Sequence, residues 1–263
     1  MADSTRVLVV GALGRMGERV RAAVAAEPSL QLGAALEAPD HPALGVAVED
    51  GVRVGDDVAA ALCNTDVAID FTLPAATLTN LRAAAEAGVA YVTGTTGFDD
   101  GERAEIARLA ERVPVMHAPN FSVAVNLLAW LTREASRKLG PDYDAEIVEL
   151  HHSAKRDAPS GTALRLGEAI AAGRGQALSD RVVLERAGDI GPRPAGAIGI
   201  QTLRGGDNPG EHTVLFAGDG ERLELIHRSH TRDHFARGAV RAARWLLSRP
   251  AGLYRIEEAL GLD

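Results

Sequence analysis

The stretch Arg6-Val7-Leu8-Val9-Val10-Gly11-Ala12-Leu13-Gly14-Arg15-Met16-Gly17 decides the fold. Its first half is a short apolar run cut off by glycine, which reads as a buried strand. From Gly17 an Ala- and Val-rich helical pattern continues to about Ala26. A strand that turns into a helix returns by a crossover, so the next strand pairs with it in parallel. The following residues repeat this theme. Leu30–Glu37, Val67–Phe71, Ala90–Val92 and Val113–Met116 read as strands, and Pro74–Ala87 and Asp99–Arg112 as the clearest helices, stopped by Gly88 and Pro114. The alternation predicts a parallel sheet covered by helices.

After Phe121 the pattern changes. A helix over Val123–Leu139 leads to a strand at Ala145–Leu150 and a helix at Thr162–Ala172. Strands are then expected at Val182–Glu185, Ala197–Arg204, His212–Ala217 and Arg222–His227. Turn signals such as Asp207-Asn208-Pro209-Gly210 and Gly218-Asp219-Gly220 separate them, which predicts a mixed or antiparallel sheet. Helical material at Phe235–Leu247 and Arg255–Leu260 closes the chain and is expected to pack back on the first domain. The expected fold class is therefore α/β. A parallel-sheet domain spans residues 1–122 and 232–263, and an α+β domain with a mixed or antiparallel sheet spans 123–231.

Bulk properties exclude several classes. With 28 Lys+Arg against 36 Asp+Glu the net charge is −8, which argues against a chain-wide nucleic-acid or acidic-membrane footprint. A few local cations can still dominate a cleft that takes a small anion. Cys63 is the single cysteine and cannot form an intrachain disulfide. Val7–Val10 is too brief for a signal-peptide core, and no apolar stretch approaches the roughly 20 residues of a membrane span. Cytoplasm is the expected location.

The glycine turn suits a dinucleotide. Glycines at Gly11, Gly14 and Gly17 let the backbone approach a pyrophosphate, and free N–H groups at the helix start meet its charge. The spacing is G-x-x-G-x-x-G, a looser form of the dinucleotide fingerprint, and a plain tight turn uses glycine in the same way. Glu37, about 20 residues further on, is placed to accept hydrogen bonds from an adenine-ribose diol. Ala38 follows it where a cation would neutralise a 2′-phosphate, so the residues favour NADH and leave NADPH as the possible second cofactor. Gly94-Thr95-Thr96-Gly97 and Ala118-Pro119-Asn120-Phe121 lie after the strands ending at Val92 and Met116, where open α/β sheets bind ligands. Ordinary turn chemistry fits these two loops equally well.

The most informative segment is Glu149-Leu150-His151-His152-Ser153-Ala154-Lys155-Arg156-Asp157-Ala158-Pro159-Ser160-Gly161-Thr162-Ala163. Ser160 is placed to cap a helix, and Gly161 and Thr162 then offer N–H groups to a carboxylate. His151, His152 and Lys155 lie just upstream, so cationic or proton-donating groups can converge on the same anion. Reducing a C=C or C=N bond adds hydride at one atom and a proton at its neighbour, and a nearby Lys or His can supply the proton. A capped helix behind a solvated charged turn has the same composition.

At this point the sequence resembles the dihydrodipicolinate reductase family, also called 4-hydroxy-tetrahydrodipicolinate reductases, of lysine and diaminopimelate biosynthesis. The resemblance is carried by GALGRMG at Gly11–Gly17, DFT at Asp70–Thr72, GTTG at Gly94–Gly97 and APNFSVAVN at Ala118–Asn126. Above all it is carried by ELHHSAKRDAPSGTA at Glu149–Ala163, with GEHTVLFAG at Gly210–Gly218 and ERLELIHRSHTR at Glu221–Arg232 extending it to nearly the whole chain. It implies a split Rossmann-like domain and a second domain that binds a small dicarboxylate and assembles a homotetramer through its sheet. His151 and Lys155 would be catalytic, the first exchanging a proton and the second donating one. His152, Gly161 and Thr162, with Ser160 at the same helix start, would hold the substrate. Gly11, Ala12, Leu13, Gly14, Arg15, Met16, Glu37, Gly94, Thr95, Thr96, Ala118, Pro119, Asn120 and Phe121 would contact the nicotinamide cofactor. Ala38 departs from the basic residue that many members carry.

His227, His230 and His234 invite a metal reading, but they straddle an expected strand end, turn and helix start, so no metal is expected. Two other functions share these features: a reductase of another small carboxylate, and a dinucleotide-sensing protein without turnover. The His-His-x-x-Lys segment weighs against the first and the presence of both His151 and Lys155 against the second.

Overall fold

The computed structural model describes residues 4–49 and 51–262. In chain order the strands and helices are β1 (Thr5–Val10), α1 (Gly17–Ala25), β2 (Leu30–Leu36), β3 (Ala47–Glu49), β4 (Val52–Gly55), α2 (Val58–Leu62), β5 (Val67–Asp70), α3 (Pro74–Ala87), β6 (Ala90–Thr93), α4 (Asp100–Ala110) and β7 (Pro114–His117). They continue with α5 (Val123–Leu139), β8 (Asp144–His151), α6 (Gly161–Gly173), β9 (Val182–Val183), β10 (Ile198–Arg204), β11 (Glu211–Gly218), β12 (Glu221–Arg228), α7 (Asp233–Leu246), β13 (Gly252–Tyr254) and α8 (Ile256–Leu260). The chain forms two compact units, one up to Val123 together with the residues from Arg232, the other Ala124–Thr231.

The first unit is a doubly wound α/β sheet of eight strands in the order β13-β7-β6-β5-β1-β2-β4-β3. Its pairings are parallel except for the β3–β4 hairpin. The alternation within β1 shows why helices cover both faces. Val7 and Val9 pack with Val20 and Val24 of α1 and with Ala239, Ala243 and Leu246 of α7. Leu8 and Val10 face the other way, onto Leu78 and Leu81 of α3 and Ile106 and Leu109 of α4. Each such side chain contributes about 1.5–3 kcal/mol by leaving water. Local chemistry sets the helix ends. Pro74 opens α3, Gly88 closes it at φ +74°, and α4 starts with a reciprocal Asp99–Glu102 capping box. The sheet order reverses at β1, whose neighbours are β2 on one side and β5 on the other. Open α/β sheets bind ligands at such a point, outside the strands' carboxyl ends.

The second unit holds a five-stranded mixed sheet, β12-β11-β8-β10-β9, with β8 and β10 parallel and β8 and β11 antiparallel. α5 and α6 lie on one face, where Leu128, Leu166 and Ile170 meet Ala145, Ile147, Ile198, Ile200, Val214 and Phe216. The other face presents Val148, Leu150, Leu203, Leu215 and Ile226, of which Leu203 and Ile226 are exposed. The strand expected over Val182–Glu185 stops after Val183, because the chain departs there and Arg186 binds Glu146 through both guanidinium nitrogens at 2.6 and 2.7 Å. β3, β4, α2 and β13 lie outside the elements that periodicity marks; each has at most five residues.

Close backbone approach is a structural requirement at α7. A β-carbon on Gly238 would sit 1.8 Å from the carbonyl oxygen of Phe121. Gly238→Ala is therefore expected to lower stability by about 1–3 kcal/mol, reducing the thermal midpoint by about 2–4 °C per kcal/mol. Gly55→Ala, whose added carbon meets nothing within 4 Å, should leave the midpoint nearly unchanged in the same thermal scan.

Candidate active site

In the first unit the sequence-marked loops all emerge from the carboxyl ends of adjacent strands. Gly11–Met16 follow β1, Glu37 follows β2, Gly94–Thr96 follow β6 and Ala118–Phe121 follow β7. Gly11 takes φ +66°, and Gly17 lies so close beneath the turn that a β-carbon would come 2.0 Å from Gly11 O. Only glycine permits this turn and this approach. Glu37 is tied to the turn, its Oε1 accepting from the Leu13 N–H at 2.7 Å. A carboxylate at this place is of the kind that accepts from a ribose diol. Exposed Gly14 places no side chain in front of the helix start. These features fit a dinucleotide.

A buried carboxylate braces the loops. Asp70, at the end of β5, is fully enclosed and accepts from Thr72 N (2.7 Å), Thr72 Oγ1 (2.6 Å) and Tyr91 Oη (2.5 Å). Burial raises its pKa, and these neutral donors offset that only in part. Thr77 Oγ1 in turn donates to Thr95 Oγ1 at 2.8 Å, and the His117 ring lies 3.0 Å from Thr95 O. The edge of Phe71 meets Phe121 at 5.7 Å. The sequence signal for Asp70 was an acid at the end of the otherwise apolar run Val67-Ala68-Ile69.

In the second unit the site grows out of the core on one sheet face. Along β8, Ala145 and Ile147 point into the core, and Glu149 and His151 follow on the same side. The register sets Thr202 and Arg204 of β10 opposite Glu149 and His151, and His212 of β11 opposite Glu149, with His227 of β12 next across. Glu149 has no exposed surface. One oxygen accepts from His151 Nδ1 and from Arg204 (3.0 Å). The other accepts from Ser160 N (3.0 Å), Thr202 Oγ1 (3.1 Å) and Arg204 (3.1 Å). Burial alone would push this carboxyl up; the bonds from His151, Arg204 and Ser160 outweigh it and bring the pKa down to about 2.

Ser160 caps α6, accepting from Ala163 N at 3.2 Å, and its hydroxyl lies 3.2 Å from His212 Nε2. Burial, with a contribution from neighbouring His151, lowers His212 to about 3, so this imidazole is neutral near neutral pH. The rings of His151 and His212 meet edge to face at 5.2 Å. Gly161 is exposed, with open space about it, and leads a helix whose first N–H groups lack intrahelical acceptors. His152 donates its backbone N–H to Asn208 O. Lys155 donates to both carboxylate oxygens of Asp157 at 2.8 Å, which lowers the pKa of that acid. Of the sequence-marked residues, His151 and Ser160 are thus joined through one carboxylate, and Lys155 holds its own acid. Glu149, Arg204 and His212 are additions. Arg204 and His212 reach the site only through strand pairing, which no local spacing announces. Among the described residues no cluster of three or more His, Cys, Asp or Glu could hold a metal ion.

Comparison with known proteins gives consistent findings. The family model described as dihydrodipicolinate reductase, N-terminus, matches residues 5–121, and that described as dihydrodipicolinate reductase, C-terminus, matches 124–260. A 4-hydroxy-tetrahydrodipicolinate reductase from Anaeromyxobacter dehalogenans is 50% identical over 265 residues, covering 98% of each chain. One from Desulfotalea psychrophila is 49% identical over 266 residues, covering 98% of this chain and 99% of the relative. The dipicolinate-bound dihydrodipicolinate reductase from Paenisporosarcina sp. TG-14 superposes with a TM-score of 0.81 at 27% identity, covering 97% of this chain and 98% of that one.

The buried pair in the second unit makes stability depend on acid. Between pH 6.5 and 3 the unfolded chain holds a proton that native His212 refuses, so folding weakens as pH falls through that window. Glu149 adds a second loss from its ordinary 4.5 down towards 2. Thermal midpoints are expected to fall below pH 6.5 and more steeply below 4.5, each proton contributing at most about 1.4 kcal/mol per pH unit. His212→Gln should flatten the upper segment alone; an unchanged slope there would show that His212 does not carry it.

Proposed function

The chain belongs to the dihydrodipicolinate reductase family, and we propose that its first unit holds the cofactor and its second the substrate dicarboxylate. Its activity is 4-hydroxy-tetrahydrodipicolinate reduction in lysine and diaminopimelate biosynthesis, an oxidoreductase reaction. Reductases of this family use NAD(P)H, and the reduced nicotinamide, when bound, supplies the hydride. Binding, orientation and proton supply fall to the chain's own groups. The observation that carries the assignment is the joining of the His151 ring and the α6 start through one buried carboxylate. A proton-bearing imidazole and a carboxylate-binding helix mouth are thereby held side by side.

The N–H groups at Gly161 and Thr162 take one substrate carboxylate, favoured by the α6 dipole, while the Ser160 N–H stays on Glu149, and His152 completes the grip. Once the 4-hydroxyl has left as water, hydride reduces the resulting double bond; Lys155 donates a proton to the atom beside the reduced carbon, His151 assists as proton donor or acceptor, and tetrahydrodipicolinate and water are the products. The Lys155–Asp157 pair is no obstacle. Asp157 is 60% exposed, and a pair of this kind is worth about 0–1 kcal/mol, so the ammonium is free to turn to the substrate. On the first unit Gly11–Met16 would hold the cofactor pyrophosphate, Glu37 its ribose, and Gly94–Thr96 and Ala118–Phe121 its nicotinamide end. NADH is favoured, because Ala38 places no cation beside Glu37. The apolar sheet face with Leu203 and Ile226 supports assembly as a homotetramer.

Lys155→Ala and His151→Ala are each expected to reduce turnover by about 10²–10⁴-fold while NADH binding stays nearly intact, read by steady-state rates and NADH titration. Equal loss of cofactor binding would sink these roles. Wild type should show a higher kcat/KM with NADH than with NADPH. Ala38→Arg should raise relative NADPH use by about tenfold or more, the worth of one charge-assisted hydrogen bond. A clear NADPH advantage in the wild type would overturn the preference.

A further inference from the structure

We propose that Glu149 is a positioning residue for the reaction: it fixes which nitrogen of His151 carries the resting proton and ties that ring to the helix start that grips the substrate. The proposal rests on the roles given above to His151 and the α6 start. An ionised carboxylate only accepts hydrogen bonds, so His151 Nδ1 must donate to Glu149. The neutral ring is then the Nδ1–H tautomer, and Nε2 is left as the nitrogen that exchanges a proton. Nε2 has room because its neighbour is glycine: a β-carbon on Gly210 would come within 2.8 Å of it, and Gly210 sits at φ +147°.

The charged surroundings point the same way. His151 meets Glu149 on its own strand, lies opposite Arg204 on β10 and packs edge to face on His212 of β11, which in turn neighbours His227 on β12. Lys155, engaged with Asp157, lies on the connection to α6. Among the described residues Glu149 is the acid that hydrogen-bonds the ring, and the Nδ1–H is held by it. Its other oxygen receives Ser160 N at 3.0 Å, so a displacement of this one carboxylate would move proton carrier and helix mouth together. Glutamine is nearly isosteric but carries one acceptor oxygen, and its amide group donates, so it cannot serve both sides.

The test is made on the folded enzyme with NADH bound, by 15N imidazole shifts assigned through the loss of the His151 signal in His151→Ala. Wild type should show Nδ1–H, Nε2-unprotonated His151 when the ring is neutral; an Nε2–H tautomer would overturn the proposal. This measurement needs no change at Glu149 and decides the matter even where Glu149→Gln does not fold. Where that variant folds, kcat should fall at least about tenfold, with NADH affinity unchanged. Its pH profile should change as well, because the partner of the ring's Nδ1 is no longer a carboxylate. A Glu149→Gln enzyme with wild-type kcat and pH profile would refute positioning while His151→Ala remained inactive. Should His151→Ala itself be active, the assignment of His151 fails first, whatever the tautomer.

Discussion

A carboxylate without access to water is the constraint around which the second unit is organised. Taking a charge out of solvent costs several kcal/mol even after relaxation, and only good geometry with satisfied lone pairs returns it. Glu149 meets that condition with donors from its own strand, from β10 and from the start of α6. The requirement therefore reaches beyond one residue. It demands that β10 lie in register beside β8, that the polar turn after His151 return to place Ser160, and that Arg204 reach in from a partly exposed position to its acid.

The first unit contains a parallel case with a different outcome. Asp70 is as deeply enclosed as Glu149, yet its pKa is raised while that of Glu149 falls to about 2. The difference lies in the donors. Asp70 is met by two hydroxyls and an amide, all neutral, whereas Glu149 is met by a guanidinium and a histidine. Hydrogen bonds to ionised partners are roughly twice as strong as neutral ones. Asp70 thus braces loops at the sheet's carboxyl edge. Glu149 stays charged among the groups proposed to handle a proton.

Much of this could be read directly from the sequence. The strand–turn–helix at Arg6–Gly17 placed the parallel sheet, because a short apolar run ending in glycine leaves few alternatives. The helix over Pro74–Ala87 agrees at both ends, since Pro74 and Gly88 are chemical stops. The segment Glu149–Ala163 held its capping serine, together with the proposed proton carriers His151 and Lys155, in one run. The small pieces were harder. Asp50-Gly51 between Ala47-Val48-Glu49 and Val52-Arg53-Val54 carries a hairpin signal, but strands of three and four residues are too short for alternation to stand out. β13 adds to the sheet edge beside β7 by pairing alone. Arg204 and His212 were not legible as site residues, because their place depends on partners more than 50 positions away.

That distance explains why core and site cannot be separated. On β11 the side chains of Val214 and Phe216 are fully buried, and His212 lies on the same face two residues earlier. The pairing of β11 with β8 sets Val214 opposite Ile147, Phe216 opposite Ala145 and His212 opposite Glu149. A slip of one residue would turn Val214 and Phe216 out of the core and bring Glu211 or Thr213 to the buried acid. Exposing those two apolar side chains would cost about 1.5–3 kcal/mol each, more than a typical single hydrogen bond contributes. The alternation that buries the core therefore holds the histidines in place, and the polar end of the sheet takes its register from its apolar end.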